Sequence, residues 1–200
     1  MATMAASGSV SGSYPVDLQV DPPQSQSRLT VFFRGFMLIP HAIILAALSA
    51  VAGIVQFLAL WVIIFTGKMP AGLANFLVGY LHWNTRVNAY QFLLTGAYPP
   101  FSMDPVANYP VRLMIEPKLE GRSRITAFFR GLLVIPNIIV LAVVGIAAFV
   151  VYAIAWLVAL FTGSVPAGMH NFLAGFVRWM TRVNAYIYLL VDDYPPFGMS

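Results

Sequence analysis

Cysteine is absent from the 200 residues. This excludes disulfides, thiolate catalysis and Cys-ligated metal sites. Charge is scarce as well. Only 9% of residues are Asp, Glu, Lys or Arg, against about 25% in an ordinary soluble domain. With 60% hydrophobic residues, too few charges remain to cover a water-facing surface, and part of the solvent must be lipid. The net charge of +4 is small, and the basic residues form no stripe that would track a nucleic acid. No nucleic-acid partner is expected. Residues 1–13 have neither the basic segment nor the apolar core of a secretory signal. Their small polar composition predicts a disordered leader.

What the chain has in abundance is internal repetition. Residues 28–103 and 124–199 align at a constant offset of 96, with 39 of 76 positions identical. Thr85-Arg86-Val87-Asn88-Ala89-Tyr90 returns as Thr181-Arg182-Val183-Asn184-Ala185-Tyr186. Two diverged copies act as a filter, because a residue kept in both serves the shared architecture. The first repeat is expected over 14–103, a linker over 104–108, and the second repeat over 109–200.

Each repeat opens on an alternating segment. Tyr14, Val16, Leu18 and Val20 fall on one face, as do Tyr109, Val111, Leu113 and Ile115. Period-two alternation predicts half-buried strands. They should pair with each other or with the extended Tyr-Pro-Pro-Phe segments at 98–101 and 194–197. A short amphipathic helix follows. Leu29, Phe32, Phe33 and Phe36 share a helical face, with Arg28 and Arg34 outside it. The second copy repeats this with Ile125, Phe128, Phe129 and Leu132 against Arg124 and Arg130. Such a helix suits the headgroup layer; the alternative is that it forms the first turns of a long transmembrane helix, although Pro40 and Pro136 should kink or end any continuous helix there.

His41 to Phe65 is a run of 25 residues without a charge, and Asn137 to Phe161 is its counterpart. A spanning helix needs about 20 apolar residues. Each run closes on Phe-Thr-Gly-x-x-Pro-Ala-Gly, in which Gly67 or Gly163 stops one helix and Pro70 or Pro166 starts the next. A tight hairpin results. The returning helices, about 70–95 and 166–191, are less apolar, and a re-entrant path is their alternative. The expected fold is an all-α membrane protein with four transmembrane helices. They form two tandem hairpins, each preceded by a short β-strand and an interfacial amphipathic helix on the cytoplasmic side. On this arrangement ten of the 11 basic residues fall on the face of both termini, which the positive-inside rule assigns to the cytoplasm. The two copies should then be related by an axis along the membrane normal.

Tyr-Pro-Val, Phe-Phe-Arg-Gly, Ile-Pro, Phe-Thr-Gly-x-x-Pro-Ala-Gly, Trp-x-Thr-Arg-Val-x-Ala-Tyr and Tyr-Pro-Pro-Phe follow one another in order, twice. This ordered set resembles the domain-of-unknown-function family 4389, bacterial membrane proteins that often carry tandem copies. The resemblance implies a bacterial inner-membrane address and supplies no active-site residues. Some members bear a lipase label, which these residues do not support. The nearest string to Gly-x-Ser-x-Gly, Gly8-Ser9-Val10-Ser11-Gly12, has Val10 at its centre. His41, His82 and His170 align with Asn137, Arg178 and Ala74, so no histidine is repeated as a base or metal ligand. No cofactor is expected.

The polar residues of the returning helices are the best functional candidates. Asn75, Gly79, His82 and Arg86 share a face, as do Asn171, Gly175, Arg178 and Arg182. Trp83 and Trp179, with Tyr90 and Tyr186, read as an aromatic belt at the interface. Two readings stand. In one, Asn75 and Asn171 bond a neighbouring helix, the glycines allow close approach, and the arginines snorkel. In the other, Arg86 and Arg182 with Arg34 and Arg130 form basic pockets for anionic lipid headgroups or a quinone head. The expected function is that of a non-enzymatic membrane protein, an accessory or scaffold subunit. Its partners would be membrane lipids and another membrane protein or a second copy. Lipid binding or transport is the alternative, and a membrane hydrolase the weakest one.

Overall fold

The computed structural model describes residues 14–199; the expected leader at 1–13 lies outside them. The elements run β1 (Val16–Val20), α1 (Arg28–Thr66), α2 (Ala71–Gln91), β2 (Val111–Ile115), α3 (Arg124–Phe128), α4 (Arg130–Leu133), α5 (Ile135–Thr162) and α6 (Ala167–Ile187). The architecture is mostly helical with one two-stranded sheet. β1 and β2 pair antiparallel, with Val16 opposite Ile115, Leu18 opposite Leu113 and Val20 opposite Val111. Of the two partners expected for each strand, the fold uses the other copy's strand.

Pro40 does not end its helix. α1 continues through it for 39 residues. The missing N–H deprives the Phe36 carbonyl of its donor, but the buried stripe of Arg34, Leu38, His41 and Leu45 packs on both sides of the proline. The second copy behaves nearer to expectation. Breaks at Phe129 and Val134 flank α4, and Pro136 sits in the first turn of α5, where its missing N–H is harmless. Gly67 and Gly163 take φ of 71° and 78° and close the hairpins as expected. Pro70 and Pro166 stand at the N-caps of α2 and α6. Those helices end at Gln91 and Ile187, because Leu93 and Leu189 turn left-handed, both at φ 62°. Leu94 N–H then reaches back to Ala89 O at 3.0 Å, and Leu190 N–H to Ala185 O at 3.0 Å, the long bond of a Schellman closure.

A pseudo-two-fold axis relates the copies. Equivalent residues meet on it: Leu18 faces Leu113, and Thr85 Oγ1 lies 3.5 Å from Thr181 Oγ1. Cross-axis ring pairs come twice, Tyr80 with Tyr188 at 5.6 Å and Phe92 with Phe176 at 5.5 Å. Three layers stack along this axis. The sheet packs on α2 and α6, which pack on α1 and α5. Within the last layer the two long helices run antiparallel, since Trp156 Nε1–H, late in α5, donates to Val31 O, early in α1, at 3.0 Å.

This packing corrects the expected orientation. Gln26 N–H donates to Gly163 O at 2.7 Å, and Arg122 N–H donates to Gly67 O at 3.1 Å. Each copy's entry segment meets the other copy's hairpin tip. The two tips therefore lie at opposite ends of α1, about 58 Å apart if it is straight at 1.5 Å per residue. Arg28 stands beside Gly163 and Arg124 beside Gly67, so the basic residues do not gather at one end of the hairpins. The reason is that hairpin sequence sets neither the partner nor the hand of hairpin docking; the buried faces of α2 and α6 do. These two helices hold the interior, with Leu77, Tyr90, Leu173 and Tyr186 at 0–2% exposure. Two helices, Arg28–Thr66 and Arg130–Thr162, are long and apolar enough to cross a membrane. Their outer faces carry most of the exposed large hydrophobic residues, from Leu29 to Phe65 on α1 and from Leu132 to Phe161 in the second copy, with Ile125, Phe128 and Phe129 just before the latter.

Candidate functional site

Arg34 is the largest fully buried side chain among the described residues, at 1% exposure. Its guanidinium stacks on the Tyr90 ring, 4.1 Å from the centroid. It donates to Tyr90 O, and through Nη2 to Gln26 Oε1 at 2.6 Å. Tyr90 O belongs to the last turn of α2, where carbonyls lack helical donors and the macrodipole is negative. Arg34 is thus an internal cap on α2, not a headgroup contact. Arg130 repeats the role on α6. It lies 4.3 Å over the Tyr186 ring and donates to Tyr186 O at 2.8 Å and Val191 O at 2.7 Å.

The copies differ in counter-charge. Asp192 Oδ1 accepts from Arg130 at 2.8 Å and lies 2.9 Å from Arg122 Nη2, while its Oδ2 is 3.4 Å from Lys118 Nζ. Burial draws the Arg122 guanidinium down to about 10, opposed by Asp192. In the first copy Gln26 and Gly96 stand in the places of Arg122 and Asp192. A Cβ at Gly96 would sit 3.3 Å from Gln26 Cγ, so the small residue makes room for the glutamine. One copy pairs its buried arginine with a carboxylate; the other gives it only uncharged acceptors, an amide oxygen and the negative end of a helix.

The tryptophans form no belt. Trp83 and Trp179 are 6% and 3% exposed. Trp83 Nε1–H donates to His41 Nδ1 at 3.0 Å, and Trp179 Nε1–H to Asn137 Oδ1 at 2.8 Å. Asn137 Nδ2 in turn donates to Pro195 O at 2.7 Å, and His41 stacks on Phe101 at 3.9 Å between ring centroids. His41 and Asn137 are interchangeable acceptors that tie α1 or α5 to the indole and to the Tyr-Pro-Pro-Phe segment. His41→Asn should accordingly change stability by less than about 1 kcal/mol. His41→Ala should cost roughly 1–3 kcal/mol, because it strands a buried indole N–H. Thermal unfolding in detergent compares the two.

The stripe on α2 and α6 divides. Asn75 and Asn171 are exposed and do not bond a neighbouring helix. Gly79 and Gly175 admit the segments after Tyr-Pro-Pro-Phe instead of a helix: a Cβ would stand 3.0 Å from Met103 Cβ and 2.6 Å from Met199 Cβ respectively. Arg178 and Arg182 bridge α6 to the edge of β1. Arg178 Nη2 donates to Leu18 O at 3.0 Å and Arg182 Nε to Val16 O at 3.1 Å, and Asp17 lies 3.3 Å and 3.5 Å from the two guanidinium groups. On the other side of the axis His82 and Arg86 face β2. Arg86, 3% exposed, turns away to Asp104 O at 2.9 Å and to Ser102 O, and its Nε has no partner among the described residues. Burial, with Arg86 adding to it, draws the His82 imidazole down to about 4, so it is neutral at pH 7. A cavity of about 670 Å³ opens here, lined by Gln19, His82, Thr85, Arg86, Pro105–Ala107 and Val111–Met114.

Gln26, Asp17 and Asp192 are not repeated between the copies, so repetition does not single them out. A signal for Arg34 was present. It falls at helical spacing with Val31, Leu38, His41 and Leu45, the stripe that the fold buries. Among the described residues no group of three or more His, Asp or Glu side chains is placed to hold a metal ion.

No curated protein and no solved structure matches the chain significantly. A family match does exist. The domain of unknown function DUF4389 matches twice, at residues 28–103 and 124–198, the spans of the two copies, and the chain belongs to that family as a tandem-copy member.

Proposed function

We propose that this chain is a non-enzymatic bacterial inner-membrane protein that acts as a scaffold, seated in one leaflet by its α1–α5 layer. One observation carries the seating. The exposed apolar face of α1 runs from Leu29 to Phe65, about 54 Å at 1.5 Å per residue. That is nearly twice the roughly 30 Å hydrocarbon thickness of a bilayer, and α2, α6 and the sheet all lie on the opposite side. A helix lying in the membrane plane uses the whole of such a face; a crossing helix leaves much of it in water. With the pseudo-two-fold axis along the normal, the sheet faces the aqueous phase. Tyr14 Oη donates to Asp193 O at 3.2 Å, which keeps the two ends of the described chain together there. The excess of Lys and Arg over Asp and Glu, 11 against 7, favours the cytoplasmic leaflet.

The scaffold role is supported by how the polar side chains are used. The buried Arg34 and Arg130 hold the chain's own carbonyls, which is structural work. Meanwhile Ala46, Ala50 and Gly53 are exposed on α1, and such small residues let a partner helix approach closely. Because the chain has no cysteine, single cysteines at Leu29, Ile43, Ala50 and Phe65 test both halves of the proposal. Spin labels at Leu29, Ile43 and Phe65 should report similar shallow depths, and a photo-cross-linker at Ala50 should capture a membrane protein or a second copy. A depth that peaks at Ile43, with shallow ends, would refute the in-plane seating. Lipid adducts alone from Ala50 would refute the scaffold.

A further inference from the structure

The cavity beside Arg86 exists on one side of the pseudo-two-fold axis for identifiable reasons. On the second-copy side Arg178 and Asp17 form a bridge from α6 to β1, and Arg182 joins it. The corresponding first-copy residues are His82 for Arg178 and Arg112 for Asp17. The exchange of an acid for a base and of a long cation for an imidazole removes the bridge. Arg86 keeps its counterpart's position, and the Asp104 carboxylate acts on it only from beyond ion-pair distance. Its two terminal nitrogens are held by backbone carbonyls, and its buried Nε has no partner among the described residues. Arg112, on the rim, pairs with Asp21 at 2.8 Å. The cavity thus presents a guanidinium withdrawn from water that, among the described residues, makes no ion pair; unlike Arg34 it faces open volume, where an anion would complete it.

Its size and its other walls narrow the anion. About 670 Å³ lies within the range of small-molecule sites and is far more than a bare oxo-anion needs. Pro105, Val106 and Leu113 supply apolar wall, while neutral His82 and the Thr85 hydroxyl stand near Arg86 to orient a polar head. We propose that this cavity binds an amphiphilic oxo-anion, its carboxylate or phosphate on Arg86 and its apolar body along β2 and the 105–107 segment. The site is specific to the first copy. It does not depend on how α1 and α5 meet the membrane.

Native mass spectrometry of the full chain in non-ionic detergent tests it, with sodium oleate, dioleoylphosphatidylglycerol and inorganic phosphate as separate probes. A one-to-one adduct with oleate or with the phospholipid is expected, and which of the two forms it identifies the source of the head. Arg86→Gln should weaken that adduct by roughly tenfold or more. Should Arg86→Gln fail to fold, His82→Arg combined with Arg112→Asp decides the matter. It rebuilds on the first-copy side the bridge that already packs on the second, and it should abolish the adduct while thermal unfolding stays cooperative. The proposal is overturned if neither amphiphile forms a one-to-one adduct, if inorganic phosphate binds as tightly as they do, or if the folded double variant binds like the parent.

Discussion

Asp192→Asn should lower the unfolding free energy by about 3 kcal/mol or more, the largest loss expected from any single polar substitution here. Asp192 is the carboxylate that Arg130, Arg122 and Lys118 share. Arg130 and Arg122 have side chains only 4% and 0% exposed. Removing the acid leaves two guanidinium groups withdrawn from water with carbonyl partners only, and burying an uncompensated charge costs more than an ion pair gains. The first copy shows how the same backbone does without the acid when the second cation is also absent, with Gln26 and Gly96 in these places beside Arg34. Asp192→Gly combined with Arg122→Gln should therefore recover most of what Asp192→Asn loses. Chemical unfolding of the three proteins in one detergent measures this. A double variant no more stable than Asp192→Asn would show that the counter-charge explanation is wrong.

The second large effect concerns the apolar layer. Phe36, Phe57, Phe128 and Phe161 are 70%, 58%, 61% and 72% exposed, so they contribute little to the protein's own packing. Each is worth roughly 1.5–3 kcal/mol when moved fully from water into an apolar medium. Because about two thirds of each ring is free to transfer, replacing all four by Ser should weaken vesicle binding by about 10³-fold or more at 1.4 kcal/mol per factor of ten, with the fold intact by circular dichroism. Flotation with liposomes reads the partition. Undiminished flotation would mean that this face is not the one that meets lipid.

Much of the local structure was legible because it follows from short-range physics. Alternation at Tyr14–Val20 and Tyr109–Ile115 located the strands. Gly67 and Gly163 located the hairpin turns, since a left-handed residue there favours glycine. The mutual docking of the hairpins was not legible. Tyr80 meeting Tyr188, or Arg122 meeting Gly67, depends on the complementary shapes of two surfaces distant in sequence. The ends of α2 and α6 were also misjudged, because Leu93 and Leu189 adopt a conformation that leucine rarely takes and no glycine or asparagine marks it. The place of Arg34 is hidden for a simpler reason. In a chain rich in exposed phenylalanine, a cation beside aromatic residues reads as a headgroup contact, whereas here it lies on the opposite face of the helix and caps α2. Trp83 and Trp179 were misread in the same way, as their buried acceptors lie on α1 and α5, 42 residues earlier in each copy.

The pseudo-two-fold axis has a further consequence. Entry segment against hairpin tip, strand against strand, and Thr85 against Thr181 are isologous contacts, those of a symmetric homodimer whose subunits happen to share one chain. A free homodimer must repeat every substitution on both sides. Covalent fusion lifts that constraint, and here the freedom has been used on the axis itself: Asp17 braces one flank while Arg112 leaves the other open. A paired ancestor would have had two such hollows or none. The tandem chain carries a broken symmetry, and with it a single orientation in the plane of whatever surface it occupies.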